Sequence, residues 1–448
     1  MVNWTKNKKS VKLKFHFEKE KVIQSMKDEQ LIISVSLGKQ KNLTSKKIKN
    51  AVAKGINIIK SLNLYEIDIE LGEILADKYF EVIVGAELGT YKYKGYHQKS
   101  SSKAVNISII DDGSIDEEEW ERKKNIVKGM LLTKNWTNMP GNKLTPEILS
   151  KKIKYTLTNV GCEVEILDKA RIEKLKMNLI NAIGNSSANE QKLVVVRYTG
   201  DPSSPKKIGL VGKGITVDTG GYNLKTAEGL KYTKDDMAGA ATVVGIMHVI
   251  ARNKLKINVT AIMPLCENRL SNSSLIPGDV ITSMNGKTVE ILNVDAEGRL
   301  ILADAITYAV RNEKVDEIID LATLTGSIVS TFGNVYTGIF SNNAKLAKEI
   351  SVAAKEMGEK IWRLPLDDEY KEKLVSQVAD IQNIGGPTAG AIIGATFIEH
   401  FVEKIPWVHL DIAGTDFYPG KLSEYETGGA TGAMVPTLYK YIETKVWQ

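Results

Sequence analysis

Two stretches of the chain carry more charge than their apolar neighbours explain. The first, "KGITVDTGGYNLKTAEGLKYTKDDMAGAA", supplies Lys213, Asp218, Lys225 and Asp236 in a glycine-rich loop that leads into a helix. The second, "NVDAEGRL", adds Asp295, Glu297 and Arg299. Four carboxylates converging at one place repel one another unless cations neutralise them, and two divalent ions cancel four charges. Asp and Glu oxygens can bridge a pair of ions, and Lys213 can coordinate only as a neutral amine, a state that a nearby metal favours. Lys225 and Arg299 then remain as positive groups, placed to bind an anion or to stabilise developing negative charge.

Taken singly, each of these residues has a plainer explanation. Asp236, just before "MAGAA", could cap a helix. Arg299 could pair only with Glu297, and lysines near glycine turns are usually solvated. "VGKGIT" and "NGKT" lack the G-x-x-x-x-G-K-[ST] spacing of a phosphate loop, and "MNGKTVE" reads as a hairpin turn. The five histidines include no H-E-x-x-H pair and offer no rival metal site. What the plain explanations do not cover is all seven charges together.

The elements that must position these residues alternate β and α, as in a mainly parallel, doubly wound sheet. "KKIGLVG", "INVTAIMPL", "VDEIIDLAT" and "WVHLDIAG" are short apolar runs that end in Gly, Pro or polar turns. "DMAGAATVVGIMHVIAR", "GRLILADAITYAVR" and "GATFIEHFVEK" are the helices between them. Ligands in such sheets bind beyond the carboxyl ends of the strands, and the charged residues follow those ends. Before this domain lies a smaller α/β region. There "LIISVSL", "FEVIVGAEL" and "AVNISIID" read as strands and "TSKKIKNAVAKGINIIKSL" as a helix. After Asp111-Asp112-Gly113, "SIDEEEWERKKNIVKGMLLTKNW" reads as a connecting helix with Trp120, Ile126, Val127, Met130 and Leu131 on one stripe. Beyond the break at Asn138-Met139-Pro140-Gly141, Thr145 caps a new helix with Pro146 at its first position. The expected organisation is an accessory α/β domain over 1–115, a connecting helix over 116–140 and a catalytic domain over 141–448.

At 448 residues two domains are the natural expectation, and 43% apolar with 25% charged residues is the balance of a soluble globular protein. No apolar run approaches the length needed to cross a bilayer, and "MVNWTKNKKSVKLK" reads as neither signal peptide nor anchor. Cys162 and Cys266 lie far apart without metal spacing, which fits a reducing compartment, so a cytoplasmic location is expected. The net charge of +6 is small for this length, but "KNKKSVKLK" and the lysines from Lys39 to Lys49 bias it toward the N-terminus. A solvated surface is one reading of that bias and nucleic-acid contact the other.

"VGKGITVDTGGYNLK", "KDDMAGAA", "NVDAEGRLILADA", "DLATLTG" and "GGATGAMVPTL" resemble, in order, the successive signatures of the leucine aminopeptidase (cytosol aminopeptidase) family of two-metal exopeptidases. The matching segments run from about "TNMPGNKLTP" to the C-terminal helix. The resemblance implies a larger catalytic α/β domain and a smaller N-terminal domain similar to a macro domain. It implies a tight metal site of Lys213, Asp218, Asp236 and Glu297, and an exchangeable one of Asp218, Asp295 and Glu297. The ions would be Mn²⁺ or Zn²⁺, with Co²⁺ or Mg²⁺ as alternatives. Arg299 corresponds to the arginine that holds a bicarbonate, and Lys225 to the lysine that faces the scissile carbonyl. Thr323, Leu324 and Gly326 would line the substrate cleft.

The implied activity is hydrolytic removal of the N-terminal residue from peptides with a free N-terminus, by a homohexamer with its sites facing an interior cavity. Relatives in some bacteria also bind DNA, which keeps a regulatory role as the alternative. Two positions depart from the family pattern. Three residues before Asp236, and three after Ala413, relatives usually place apolar residues in the pocket for the first side chain, whereas this chain has Thr233 and Asp416. A more polar pocket implies weaker preference for leucine and good acceptance of Arg, Lys or polar first residues. The competing reading is that Asp416 points to solvent or pairs with a neighbouring lysine.

Overall fold

The computed structural model describes residues 2–446 apart from 5–10, 20, 29, 99–102, 112 and 114, so the run from Lys6 to Lys9 and the middle of the Asp111–Gly113 turn lie outside the described residues. The chain divides into two compact units. One comprises Met1–Leu131 with Tyr418–Gly429, the other Leu132–Phe417 with Ala430–Gln448. The acidic-to-basic segment forms a single helix, Glu117–Thr137, and the division falls within it.

In the first unit the strands Val2–Trp4, Asn106–Ile110, Glu66–Glu70, Val11–His16, Gln30–Ser36 and Val22–Lys27 form one sheet in that spatial order. All neighbours are parallel except the last pair. Val11, Leu13 and Phe15 are buried, while the alternating Lys12 and Lys14 both pair with Glu70, so these two N-terminal lysines already have a carboxylate partner. Thr44 caps the helix Ser45–Ser61 as its sequence suggests, by accepting from the Lys47 amide.

"FEVIVGAEL" is not a strand. It lies in the helix Tyr79–Thr90, where Phe80, Val82, Ile83, Val84, Ala86 and Leu88 are all buried. A helix apolar around most of its circumference shows no helical period, which is why the β-branched run misleads. Its glycines allow the close packing. A Cβ on Gly89 would lie 2.5 Å from the Ala53 Cβ of the neighbouring helix.

In the second unit the strands run in the order Ile361–Arg363, Thr337–Ser341, Trp407–Asp411, Glu317–Ala322, Ile208–Gly212, Asn258–Asn268, Lys192–Thr199 and Glu163–Leu167, with Gly214–Asp218 also pairing along Asn258–Asn268. The centre is parallel and antiparallel pairs flank it on both sides. The four apolar runs of this domain are thus central strands. The helices Ala238–Arg252 and Glu297–Arg311 bury almost their whole length. The third expected helix begins earlier than "GATFIEHFVEK" suggests and spans Gly390–Glu399. Strands Val280–Thr282 and Thr288–Glu290 pair antiparallel around the "MNGKT" hairpin. Thr145 accepts from the Ile148 amide at the start of Pro146–Thr158. Among the described residues, no helix is long and apolar enough to cross a membrane.

Candidate metal centre

The parallel strands bring the polar residues at and just beyond their carboxyl ends to one end of the sheet. Lys213 follows Ile208–Gly212, Asp218 ends Gly214–Asp218, and Thr323 follows Glu317–Ala322. Two helices complete the set, with Asp236 just before Ala238–Arg252 and Glu297 as the first residue of Glu297–Arg311. This is the carboxyl end of the sheet, where doubly wound folds bind ligands.

Asp218, Asp236 and Glu297 are buried and each offers an oxygen within 4.8 Å of the others. Lys213 Nζ donates to Asp236 Oδ1 at 2.6 Å and to the Thr323 carbonyl at 2.8 Å, and lies 2.9 Å from Glu297 Oε1. Lys225 Nζ lies 2.6 Å from Asp218 Oδ2 and also donates to Asp295 Oδ1. Asp295 therefore stands outside the tight triple and shares Lys225 with Asp218. Thr323 Oγ1 donates to Asp236 Oδ1 at 2.8 Å.

Asp236 is not a cap. The helix after it has Met237 at its N-cap with no side-chain bond, and the Asp236 carboxylate turns instead to Lys213 and Thr323. Nor does Arg299 pair with Glu297 among the described residues. It is 6% exposed, donates from Nη1 to the Asn383 carbonyl at 2.7 Å, and leaves Nε without a partner.

The residues present fit a cation. Asp236 Oδ2 and Glu297 Oε2 are buried oxygens with no donor among the described residues, and such orphaned acceptors require an explanation. The electrostatics agree. Burial, reinforced by Asp218 and Glu297, pushes Asp295 up to about 6, and burial likewise raises Asp236. Burial disfavours the Lys213 ammonium, but Asp236, Glu297 and Asp218 outweigh it and carry its pKa above the ordinary lysine range. Coordination by the Lys213 amine thus requires a metal to displace that proton.

Two glycines are required here by close approach. A Cβ on Gly298 would lie 2.5 Å from Lys213 Cε and 2.8 Å from its Nζ. Gly220 has φ +85 and donates its amide to Asp218 Oδ1 at 3.0 Å, while a Cβ there would meet Asp295 Oδ1 at 2.9 Å.

Of the substrate-cleft candidates, Thr323 touches the cluster directly. Leu324 and Ala413 donate their amides to Asp411, Gly326 opens the helix Gly326–Phe332 with free space where a Cβ would be, and the Thr233 carbonyl accepts from the Asp218 amide. Asp416 does not point to solvent, and among the described residues it pairs with no lysine. It is 5% exposed, its Oδ2 has no partner among the described residues, and burial followed by repulsion from Asp235 pushes it well above the usual carboxylate range.

Sequence reasoning missed the residues that hold the ligand loops. Asn268 donates to Asp218 Oδ1 at 2.9 Å and to the Val294 carbonyl at 3.1 Å, and Asn223 Oδ1 accepts the Val294 amide at 2.8 Å. Asn383 Oδ1 accepts from the amides of Leu292 and Asn293. Only Asn268 carried a readable signal, as the polar last residue of a central strand.

Comparison with known proteins agrees with this geometry. Residues 131–439 match the catalytic domain of the cytosol aminopeptidase family and residues 21–100 its N-terminal domain. A probable cytosol aminopeptidase of Clostridium perfringens is 42% identical over 422 residues, covering 91% of this chain and 85% of the relative. A probable cytosol aminopeptidase of Clostridium tetani is 38% identical, covering 92% and 87%. Among solved structures, the bottromycin maturation enzyme BotP in complex with Mn superposes with a TM-score of 0.89 at 27% identity, covering 98% of this chain and 99% of that one.

Proposed function

From the premise that the chain belongs to the cytosol aminopeptidase family and is a metal-dependent aminopeptidase, we propose that it removes the first residue of peptides with a free N-terminus at a two-metal site. The observation that carries this reading is the buried pair of orphaned oxygens on Asp236 and Glu297 beside Asp218 and Lys213. Lys213, Asp218, Asp236 and Glu297 would hold one ion, and Asp218, Asp295 and Glu297 the other. When bound, the ions would supply Lewis-acid polarisation of the scissile carbonyl, an anchor for the free α-amine and a water acidic enough to attack near neutral pH.

The chain's own groups do the rest. Lys225, on the open side of the cluster, donates to the negative charge that develops on the carbonyl oxygen. The Thr323 carbonyl and hydroxyl keep Lys213 and Asp236 in register. Arg299, buried and with Nε free of partners among the described residues, is suited to hold an anion. The bicarbonate expected there would carry a proton from water to the leaving amine.

Thr233 and the buried carboxyl of Asp416 support a first-residue pocket that accepts cationic or polar side chains. The same premise supports a homohexamer working in the cytoplasm. The test is release of the first residue from a panel of aminoacyl amides by the full chain, lost on chelation and restored by Mn²⁺, Zn²⁺ or Co²⁺. Endoproteolytic products, or release of C-terminal residues, would contradict it.

A further inference from the structure

We infer that Asp411 is a positioning residue for the metal centre, acting through the turn Thr323–Thr325; the inference rests on the reading of Lys213 and Asp236 as metal ligands. Asp411 ends the strand Trp407–Asp411, is 1% exposed, and pairs in register with Ala322, the residue before Thr323. Its two carboxylate oxygens take different partners. Oδ1 accepts from the Leu324 amide at 3.0 Å and from the Ala413 amide at 3.3 Å, and Oδ2 accepts from Thr325 Oγ1 at 2.7 Å. Thr325 in turn accepts the Ile328 amide at 3.1 Å, capping Gly326–Phe332. The backbone between strand and helix is thus gripped at two successive residues by one carboxylate.

The residue just before those two faces the metal cluster. The Thr323 carbonyl takes a bond from Lys213 Nζ, and its hydroxyl gives one to Asp236 Oδ1. Thr323 sets the direction of two expected ligands, yet nothing in its own side chain ties it down on the far side. Asp411 supplies that tie. A charged acceptor makes shorter and stronger bonds than a neutral one, which suits a turn that must not shift when a cation pulls on Lys213 and Asp236. Partners bonded directly to a ligand, as Thr323 is, typically change metal affinity by about 10–100-fold when removed, and Asp411 acts one step behind them.

The test is Mn²⁺ titration of the metal-stripped full chain by calorimetry. It reads affinity without any substrate, so a protein that binds Mn²⁺ but fails to cleave peptides would count against the proposed activity and not against this inference. Asp411→Ala should weaken the tighter Mn²⁺ site by up to about tenfold, the lower end of that range, and Asp411→Asn, which keeps the Oδ1 acceptor, by less. Thr323→Val removes the hydroxyl bond to Asp236. If Asp411 acts through Thr323, the double variant should lose less affinity than the product of the two single losses. Should Asp411→Ala fail to fold, Asp411→Asn takes its place in the same cycle. Unchanged Mn²⁺ affinity in the Asp411 variant, or fully multiplicative losses in the double variant, would overturn the inference.

Discussion

Lys225 Nζ lies 2.6 Å from Asp218 Oδ2, and the same ammonium also reaches Asp295. It therefore stands between two of the three carboxylates expected at the exchangeable site without belonging to that expected ligand set. Replacing it with Ala should leave metal content near that of the wild type and lower kcat by about 10²–10³, the usual cost of losing a donor to a developing oxyanion. Elemental analysis beside steady-state kinetics checks this. Loss of both ions in Lys225→Ala would show that the lysine builds the site and does not act on the substrate.

Gly298 gives a test that alters no charge. A methyl group there would press on the buried end of the Lys213 side chain, 2.5 Å from Cε and 2.8 Å from Nζ, so the amine is what must shift. Gly298→Ala should displace the amine and weaken Mn²⁺ binding, while Gly420→Ala, at an exposed position where nothing lies within 4 Å of a Cβ, should bind as the wild type does. Equal metal affinity in both variants would remove Lys213 from the ligand set.

A further expectation concerns pH. The substrate α-amine must be neutral to bind a cation, and its free pKa of about 7.7–8.0 places the rise of kcat/KM at mildly alkaline pH. Burial lowers Arg299 only to about 10, so its guanidinium keeps its charge through that window and does not cut the rise short. A pH profile on an amide substrate decides the matter, and an optimum below neutrality would contradict an amine–metal contact.

The pocket departures make a prediction about substrate. Asp416 is buried with its Oδ2 free of partners among the described residues, and burial favours its neutral form, so a cationic first residue gains from pairing with it only by drawing the carboxyl into its charged state, where a charged hydrogen bond contributes roughly 1.5–3 kcal/mol. Asp416→Ala should lower kcat/KM for Arg and Lys amides by about tenfold or more while raising it for Leu and Met. Strong leucine preference in the wild type, unchanged by the substitution, would rule the pocket reading out.

Much of the site was legible because its chemistry is concentrated. "NVDAEGRL" places Asp295, Glu297 and Arg299 at one loop-to-helix junction, and the glycine-rich loop after Ile208–Gly212 does the same for Lys213, Asp218 and Asp236. The central strands were legible through their apolar runs. Asn223 and Asn383 were not, because single polar residues that bond to backbone groups far away in sequence leave no spacing to read. The helix Tyr79–Thr90 was hidden by burial on nearly every side, and the return of Tyr418–Gly429 to the first unit depends on tertiary packing that no local composition announces.

A two-metal site requires that the buried carboxylates work only with cations between them. Full-length protein stripped by chelation, assayed on an aminoacyl amide and then reloaded with Mn²⁺, tests it most directly, with Asp236→Ala and Glu297→Ala treated in parallel. The stripped protein should show no turnover, the wild type should recover at two ions per chain, and the two variants should neither recover nor load fully. Full activity in metal-free protein, or in either variant, would contradict it.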